Sequence, residues 1–102
     1  TEFAPDNFVM REQLSAMVVR YLKYKNIAMP IASAEIKSHS DYEQISDYAK
    51  EDMAICYEMG LIKGHDNGLI VPKGNLTRAQ LASVMMRLLD YIDNIEQSER
   101  IG

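Results

Sequence analysis

Two arginines occupy the same place in two copies of one pattern, Met10-Arg-Glu-Gln-Leu14 and Thr77-Arg-Ala-Gln-Leu81. Each stands where a helix would begin, and the unsatisfied N–H groups there favour anions by about 0.3–1 kcal/mol per charge. A cation repeated at that end calls for an explanation. In one reading, Arg11 or Arg78 joins the free amides to hold an anion, the guanidinium offering its fork to a carboxylate. In the other, each arginine pairs with a nearby carboxylate or bonds a loop carbonyl. Thr77 and Gln80 have the spacing of a capping box, which gives Gln80 a structural task of its own. The first copy keeps Gln13 but has Met10 in place of the capping Thr and Glu12 in place of the Ala.

Other chemistry finds few residues. The single cysteine, Cys56, excludes an internal disulfide and sits on an apolar helical face, which predicts an inert core thiol. With only His39 and His65 beside it, a zinc site is excluded, and both histidines read as surface loop residues. Nucleophile-elbow, P-loop and dinucleotide patterns are absent from the sequence, and no cofactor is expected. The stretch Asp66-Asn-Gly68-Leu-Ile70 superficially resembles a calcium loop. Its register, however, puts Lys63 and Gly74 where carboxylates are required, which rejects calcium. The net charge of −4 and the lack of a basic stripe argue against a nucleic-acid partner. Lys63 and Lys73 flank the Asp-Gly loop, either as a local basic rim or as ordinary solvated lysines.

The elements that must position these residues are helical. In 102 residues, 47% hydrophobic and 25% charged, there is room for one small domain and no apolar run long enough to span a bilayer. The chain opens at Thr1 with neither Met nor a signal peptide, and it reads as a segment of something longer. Leu81, Val84, Met85, Leu88, Ile92 and Ile95 recur at helical spacing, as do Leu14, Met17, Val18 and Tyr21. Ala49, Met53 and Cys56 mark a third stripe, with Ser46-Asp47 as its cap and Gly60 as its stop. Helices are expected near 10–25, 46–59 and 77–95, the first ending near Asn26, with a short extended piece at 69–71. Met17, Met53 and Met85 are assigned to the core, residues 26–42 mostly to loop, and Gly60, Gly64 and Gly68 to positive φ. Tyr21, Tyr24 and Tyr91 near helix ends fit core packing better than stacking on sugars.

A shift of 67 positions, Arg11 to Arg78, also pairs Pro5 with Pro72, Gln13 with Gln80, Leu14 with Leu81, Arg20 with Arg87, Leu22 with Leu89 and Tyr24 with Tyr91. One register held without a gap indicates an internal repeat. The resulting organisation is a C-terminal half unit over 1–26, a linker over 27–40, a complete unit over 41–95 and a tail over 96–102.

The run from Asp41 through Gly60-Leu-Ile-Lys-Gly64, Asp66-Asn-Gly68, Pro72 and Leu76-Thr-Arg-Ala-Gln80 resembles the S-layer homology (SLH) repeat. The resemblance covers 41–91, and 3–24 matches the tail of the repeat. The chain departs from the family pattern in having no Trp, with Tyr48 at that position, and Gln where Glu opens the helix. What the resemblance implies is an all-α domain of helix-loop-helix repeats with long loops, anchoring proteins non-covalently to the bacterial envelope. It implies an extracellular, cell-surface location. The implied partner is an acidic, pyruvate-ketal-bearing secondary cell-wall polysaccharide or peptidoglycan-linked glycan. Carried over on that resemblance, the glycan-contacting residues are Arg78, Thr77 and Gln80, then Arg11 and Gln13, then Asp41. Asp41 has a turn or N-cap role as its alternative. The rival function is a protein-interaction or homo-oligomerisation module on the same scaffold, since an incomplete repeat set leaves the first helix short of partners.

Overall fold

The computed structural model describes residues 9–65 and 67–101, so Phe3, Pro5 and Asp66 of the sequence reading lie outside the described residues. Three α-helices follow one another: α1 (Arg11–Tyr24), α2 (Lys50–Glu58) and α3 (Arg78–Ile101). Among the described residues there is no strand, and the expected all-α class holds. The piece at 69–71 is not extended; the single β-bridge instead joins Met10 to Asn75.

Helix α1 buries Leu14, Val18, Val19 and Leu22 against Met53, Ala54, Ile55 and Cys56 of α2. Full burial of each large aliphatic side chain contributes about 1.5–3 kcal/mol. Both helices end in the same device. Asn26 takes φ 57 while Ile27 N–H donates to Leu22 O at 2.9 Å. Gly60 takes φ 80 while Leu61 N–H donates to Cys56 O at 3.0 Å. A left-handed residue thus closes each last turn and folds the next aliphatic side chain back over it.

Several expectations are corrected or refined. Ser46 does not cap α2, which is entered through a 3-10 turn at Asp47–Ala49; the Ser46 hydroxyl is drawn instead to Glu12. The 26–42 segment carries a 3-10 turn at Glu35–Ser38 whose Ile36 is fully buried in the core, and a second turn follows at Tyr42–Gln44. Met53 is a core residue, but Met17 is 54% and Met85 41% exposed: α3 packs on the core through Val84 and Leu88, and the two methionines line an open groove between α1 and α3. Gly68 takes positive φ like Gly60, but Gly64 does not. A Cβ on Gly64 would stand 2.5 Å from His39 Cε1, so close approach is what excludes a side chain there. Helix α3 also runs past the expected end near 95 to Ile101, since no Gly or Pro interrupts 96–101.

Candidate functional site

The loop at 63–76 is seated on the start of α1, and this junction builds the cleft. Arg11 N–H donates to Gly74 O at 3.0 Å and Glu12 N–H to Pro72 O at 2.9 Å, while Leu76 N–H donates back to Val9 O at 2.9 Å. Met10 N–H is taken by Gln13 Oε1 at 2.9 Å. The first amides of α1 are therefore satisfied by protein rather than left for an anion.

Side chains fix the loop from three sides. Arg11 Nε donates to Ile70 O at 2.9 Å and Nη2 to Lys63 O at 2.7 Å. Asp41, only 5% exposed, accepts from Ile70 N–H at 3.1 Å and Val71 N–H at 2.9 Å. That clamp holds Val71 at φ 49, a conformation a β-branched residue adopts only under constraint. His39, expected at the surface, is half-buried and spans Gly68 O at 2.7 Å and the Tyr57 hydroxyl at 3.0 Å.

Beside this clamp lies a charge network that sequence reasoning missed. Glu12 is 1% exposed and accepts from Ser46 N–H at 2.9 Å, the Ser46 hydroxyl at 2.7 Å and Lys73 Nζ at 3.2 Å. Burial alone would raise its pKa, but the Ser46 hydrogen bonds and the Lys73 charge outweigh it and hold the carboxyl below its ordinary value. Lys73 is thus tied to Glu12 rather than serving as a free rim lysine. The available signal was Glu12 itself, an acid where the second copy has Ala79.

Between loop and α3 opens a cleft of about 630 Å³, lined by Arg11, His65, Asn67 and Gln80 together with Val71, Gly74 and Asn75. A smaller recess of about 250 Å³ shares Arg11, His65 and Gln80 and adds Lys63, Ser83 and Arg87. Arg11 is half-buried, and burial pushes its pKa down; no carboxylate among the described residues pairs with it. Its partners are two carbonyl oxygens.

The predicted site residues therefore separate. Arg11 and Gln80 meet in the cleft. Thr77 and Gln80 form the expected capping box, Gln80 N–H donating to Thr77 Oγ1 at 3.1 Å and Thr77 N–H to Gln80 Oε1 at 2.9 Å. Arg78 is exposed at the first position of α3, outside the lining of either recess. Gln13 faces another side of α1, and Asp41 is buried beneath the loop. Tyr91 donates to Ala28 O at 2.6 Å, tying α3 to the linker, whereas Tyr24 is exposed. Cys56 is buried, its pKa pushed up by burial to about 12, as befits an inert thiol. Among the described residues no His, Cys, Asp and Glu cluster could hold a metal ion, and no helix is long and apolar enough to cross a membrane.

Comparison with known proteins adds a family. Residues 40–82 match the S-layer homology domain model. An endoglucanase of Bacillus sp. (strain KSM-635) is 35% identical over 93% of this chain, which covers 11% of that protein. An amylopullulanase of Thermoanaerobacterium thermosulfurigenes is 31% identical over 89% of the chain, covering 5% of its length. A cell surface protein of Thermoanaerobacter kivui is 30% identical over 90% of the chain, covering 12% of its length. These alignments extend over most of the chain, which spans only a small fraction of each relative. No solved structure matches it.

Proposed function

We propose that this chain, whose residues 40–82 match the S-layer homology domain model, anchors its parent protein at the cell-envelope surface by binding an acidic, pyruvate-ketal-bearing cell-wall polysaccharide in the cleft around Arg11. The observation that carries this reading is the half-buried Arg11 guanidinium, which borders the cleft with carbonyl partners and, among the described residues, no carboxylate. A ligand carboxylate would supply a counter-charge to a cation so placed. Gln80 and the amides of Asn67 and Asn75 offer donors and acceptors for sugar hydroxyls. Arg78 and Thr77, at the open start of α3, flank the cleft and make the weaker, solvent-screened contact. Gln13 sits apart on α1, and Asp41 supports the site by holding the loop.

The test is co-sedimentation with wall sacculi before and after their secondary polymer is stripped. Binding should depend on the polymer, fall to background for Arg11→Gln and weaken only a few-fold for Arg78→Ala. Polymer-independent binding, or an Arg11→Gln protein that folds and binds normally, overturns the proposal. A second reading, a protein-contact module, is favoured by the apolar groove between α1 and α3, where Met17, Tyr21, Met85 and Leu89 are exposed. It requires sedimentation velocity to reveal self-association that Met85→Lys abolishes.

A further inference from the structure

The turn at the lip of the cleft pairs an asparagine with a glycine. Of the chain's asparagines, Asn7, Asn26, Asn75 and Asn94 precede Phe8, Ile27, Leu76 and Ile95, and Asn67 alone precedes a glycine. A bulky following side chain obstructs approach of the next backbone nitrogen to the asparagine amide. Gly68 has no Cβ to do so and leaves the backbone free to turn. It stands at φ 83, and a Cβ added there would meet nothing within 4 Å, so the turn stands clear of the rest of the fold. Both Asn67 and Gly68 are exposed, and water reaches them.

The turn also polarises the asparagine. Asn67 Oδ1 accepts from Leu69 N–H at 3.1 Å, which draws electron density from Cγ and makes that carbon the better electrophile. The flanks are held: His65 N–H donates to Leu69 O at 2.7 Å, and His39 Nδ1 lies 2.7 Å from Gly68 O. The Gly68 nitrogen is tied by a single exposed hydrogen bond, to His65 O at 2.9 Å, which must open before that nitrogen can attack.

We propose that Asn67 is a site of spontaneous deamidation, closed by the Gly68 nitrogen and opened by water, and that its product weakens the hold of the cleft on an acidic ligand. In the first step the bond from Gly68 N to Asn67 Cγ forms. The Gly68 N–H proton passes to solvent, and the side-chain nitrogen takes up a proton and leaves as ammonia. Water then adds to one of the two carbonyls of the cyclic imide and breaks its bond to nitrogen. Opening at Cγ gives aspartate; opening at the main-chain carbonyl gives isoaspartate, with the chain rerouted through the side chain. Water is the only co-reactant, and nothing is oxidised or reduced. The new carboxylate enters a cleft that Asn67 shares with Arg11 and His65. There it competes for the guanidinium and repels an acidic ligand. This consequence rests on the glycan-binding reading above, whereas the modification itself does not.

The experiment incubates the whole chain in neutral buffer and follows it by peptide mapping in a mass spectrometer, with ion exchange to isolate the more acidic product. Asn67 should convert to aspartate and isoaspartate while Asn26, Asn75 and Asn94 stay intact. An Asn67 that survives as long as Asn75 overturns the proposal. The isolated product is then compared with fresh protein for retention on wall sacculi, where a fall of about tenfold or more is expected. Asn67→Asp should reproduce that fall at once. Asn67→Ser keeps an acceptor for Leu69 N–H but has no amide to lose, so its retention, whatever its starting level, should not decline with incubation. Equal retention of fresh and converted protein, with circular dichroism unchanged, overturns the loss of binding and leaves the modification standing. Fresh protein that shows no polymer-dependent retention overturns the anchoring reading and the loss of binding together, and peptide mapping still decides the modification by itself.

Discussion

The starts of α1 and α3 carry the same motif and meet different fates. At α1 the loop at 63–76 docks on the helix, its carbonyls taking the Arg11 and Glu12 amides, and Arg11 is drawn inward across Ile70 and Lys63. At α3 no described segment lies over the helix start, the Thr77–Gln80 box closes it locally, and Arg78 projects into solvent. The difference teaches that the motif does not fix the role of its arginine. What decides is whether a neighbouring loop arrives to desolvate it. The departures of the first copy fit this account. At Met10 the loop carbonyls serve the Arg11 and Glu12 amides while Gln13 returns to the Met10 amide, and Glu12 stands where the other copy has a small residue because it reaches Ser46 and Lys73.

The largest break of the comparison comes from removing what seats the loop. Asp41→Ala strips two amides, the buried Ile70 N–H and the half-buried Val71 N–H, of their acceptor and releases Val71 from its left-handed conformation. Leaving each such group unpaired costs about 1–3 kcal/mol, so a loss of about 3 kcal/mol or more in urea unfolding is expected. The start of α1 should then exchange its amide protons as rapidly as that of α3. Slow exchange retained at Glu12 N–H would show that the loop stays docked without Asp41.

Next in size is Glu12, the acid peculiar to the first copy. Glu12→Gln should cost about 1–3 kcal/mol at neutral pH, since it removes the charge that Lys73 and Ser46 address. The sign of the pH dependence follows from a folded-state pKa held below the unfolded value. The contribution is complete above the ordinary glutamate pKa of about 4.3 and is lost as pH falls through the lower folded value. The urea midpoints of wild type and Glu12→Gln should therefore converge in acid. A gap that stays constant from about pH 7 to about pH 3 contradicts the network.

Much of this was legible beforehand, and the reason is local. Helix periodicity, the Thr77–Gln80 box and the stops at Asn26 and Gly60 are each written in residues a few positions apart. The family followed from the order of those short motifs. What could not be read were contacts whose partners lie far along the chain: Arg11 with Ile70, Asp41 with Val71, Glu12 with Ser46 and His39 with Gly68. Met17 and Met85 misled for the same reason. Their spacing marks an apolar stripe, but whether a stripe is covered depends on how closely α1 and α3 approach, which periodicity does not encode. Arg20 and Arg87 were visible as a repeated pair, yet the recess at Arg87 appears only once the 63–65 loop is in place.

Caps give a smaller test of the same asymmetry. Thr77→Ala should cost about 1 kcal/mol, because at α3 the hydroxyl is the acceptor for Gln80 N–H. Met10→Thr, which restores the motif at α1, should gain less than that, since the docked loop already satisfies the neighbouring Arg11 and Glu12 amides. Paired thermal melts of the two variants settle this, and an equal and opposite change in the two would mean that the loop contributes nothing to capping α1.

The smallest expected effect on stability is also the most discriminating. Arg78→Ala removes an exposed side chain with no hydrogen bond or ion pair among the described residues, so its effect should lie within about 0.5 kcal/mol. Arg11→Ala deletes two charge-assisted bonds to carbonyls and should cost about 1.5–3 kcal/mol. If the two variants unfold at the same urea concentration, the contrast between a desolvated and a solvated arginine fails, and with it the reason for placing Arg11 ahead of Arg78 in the cleft. If they differ as expected while Arg78→Ala lowers retention on sacculi more than Arg11→Lys does, the clamp is structural and the anion contact belongs to the open end of α3.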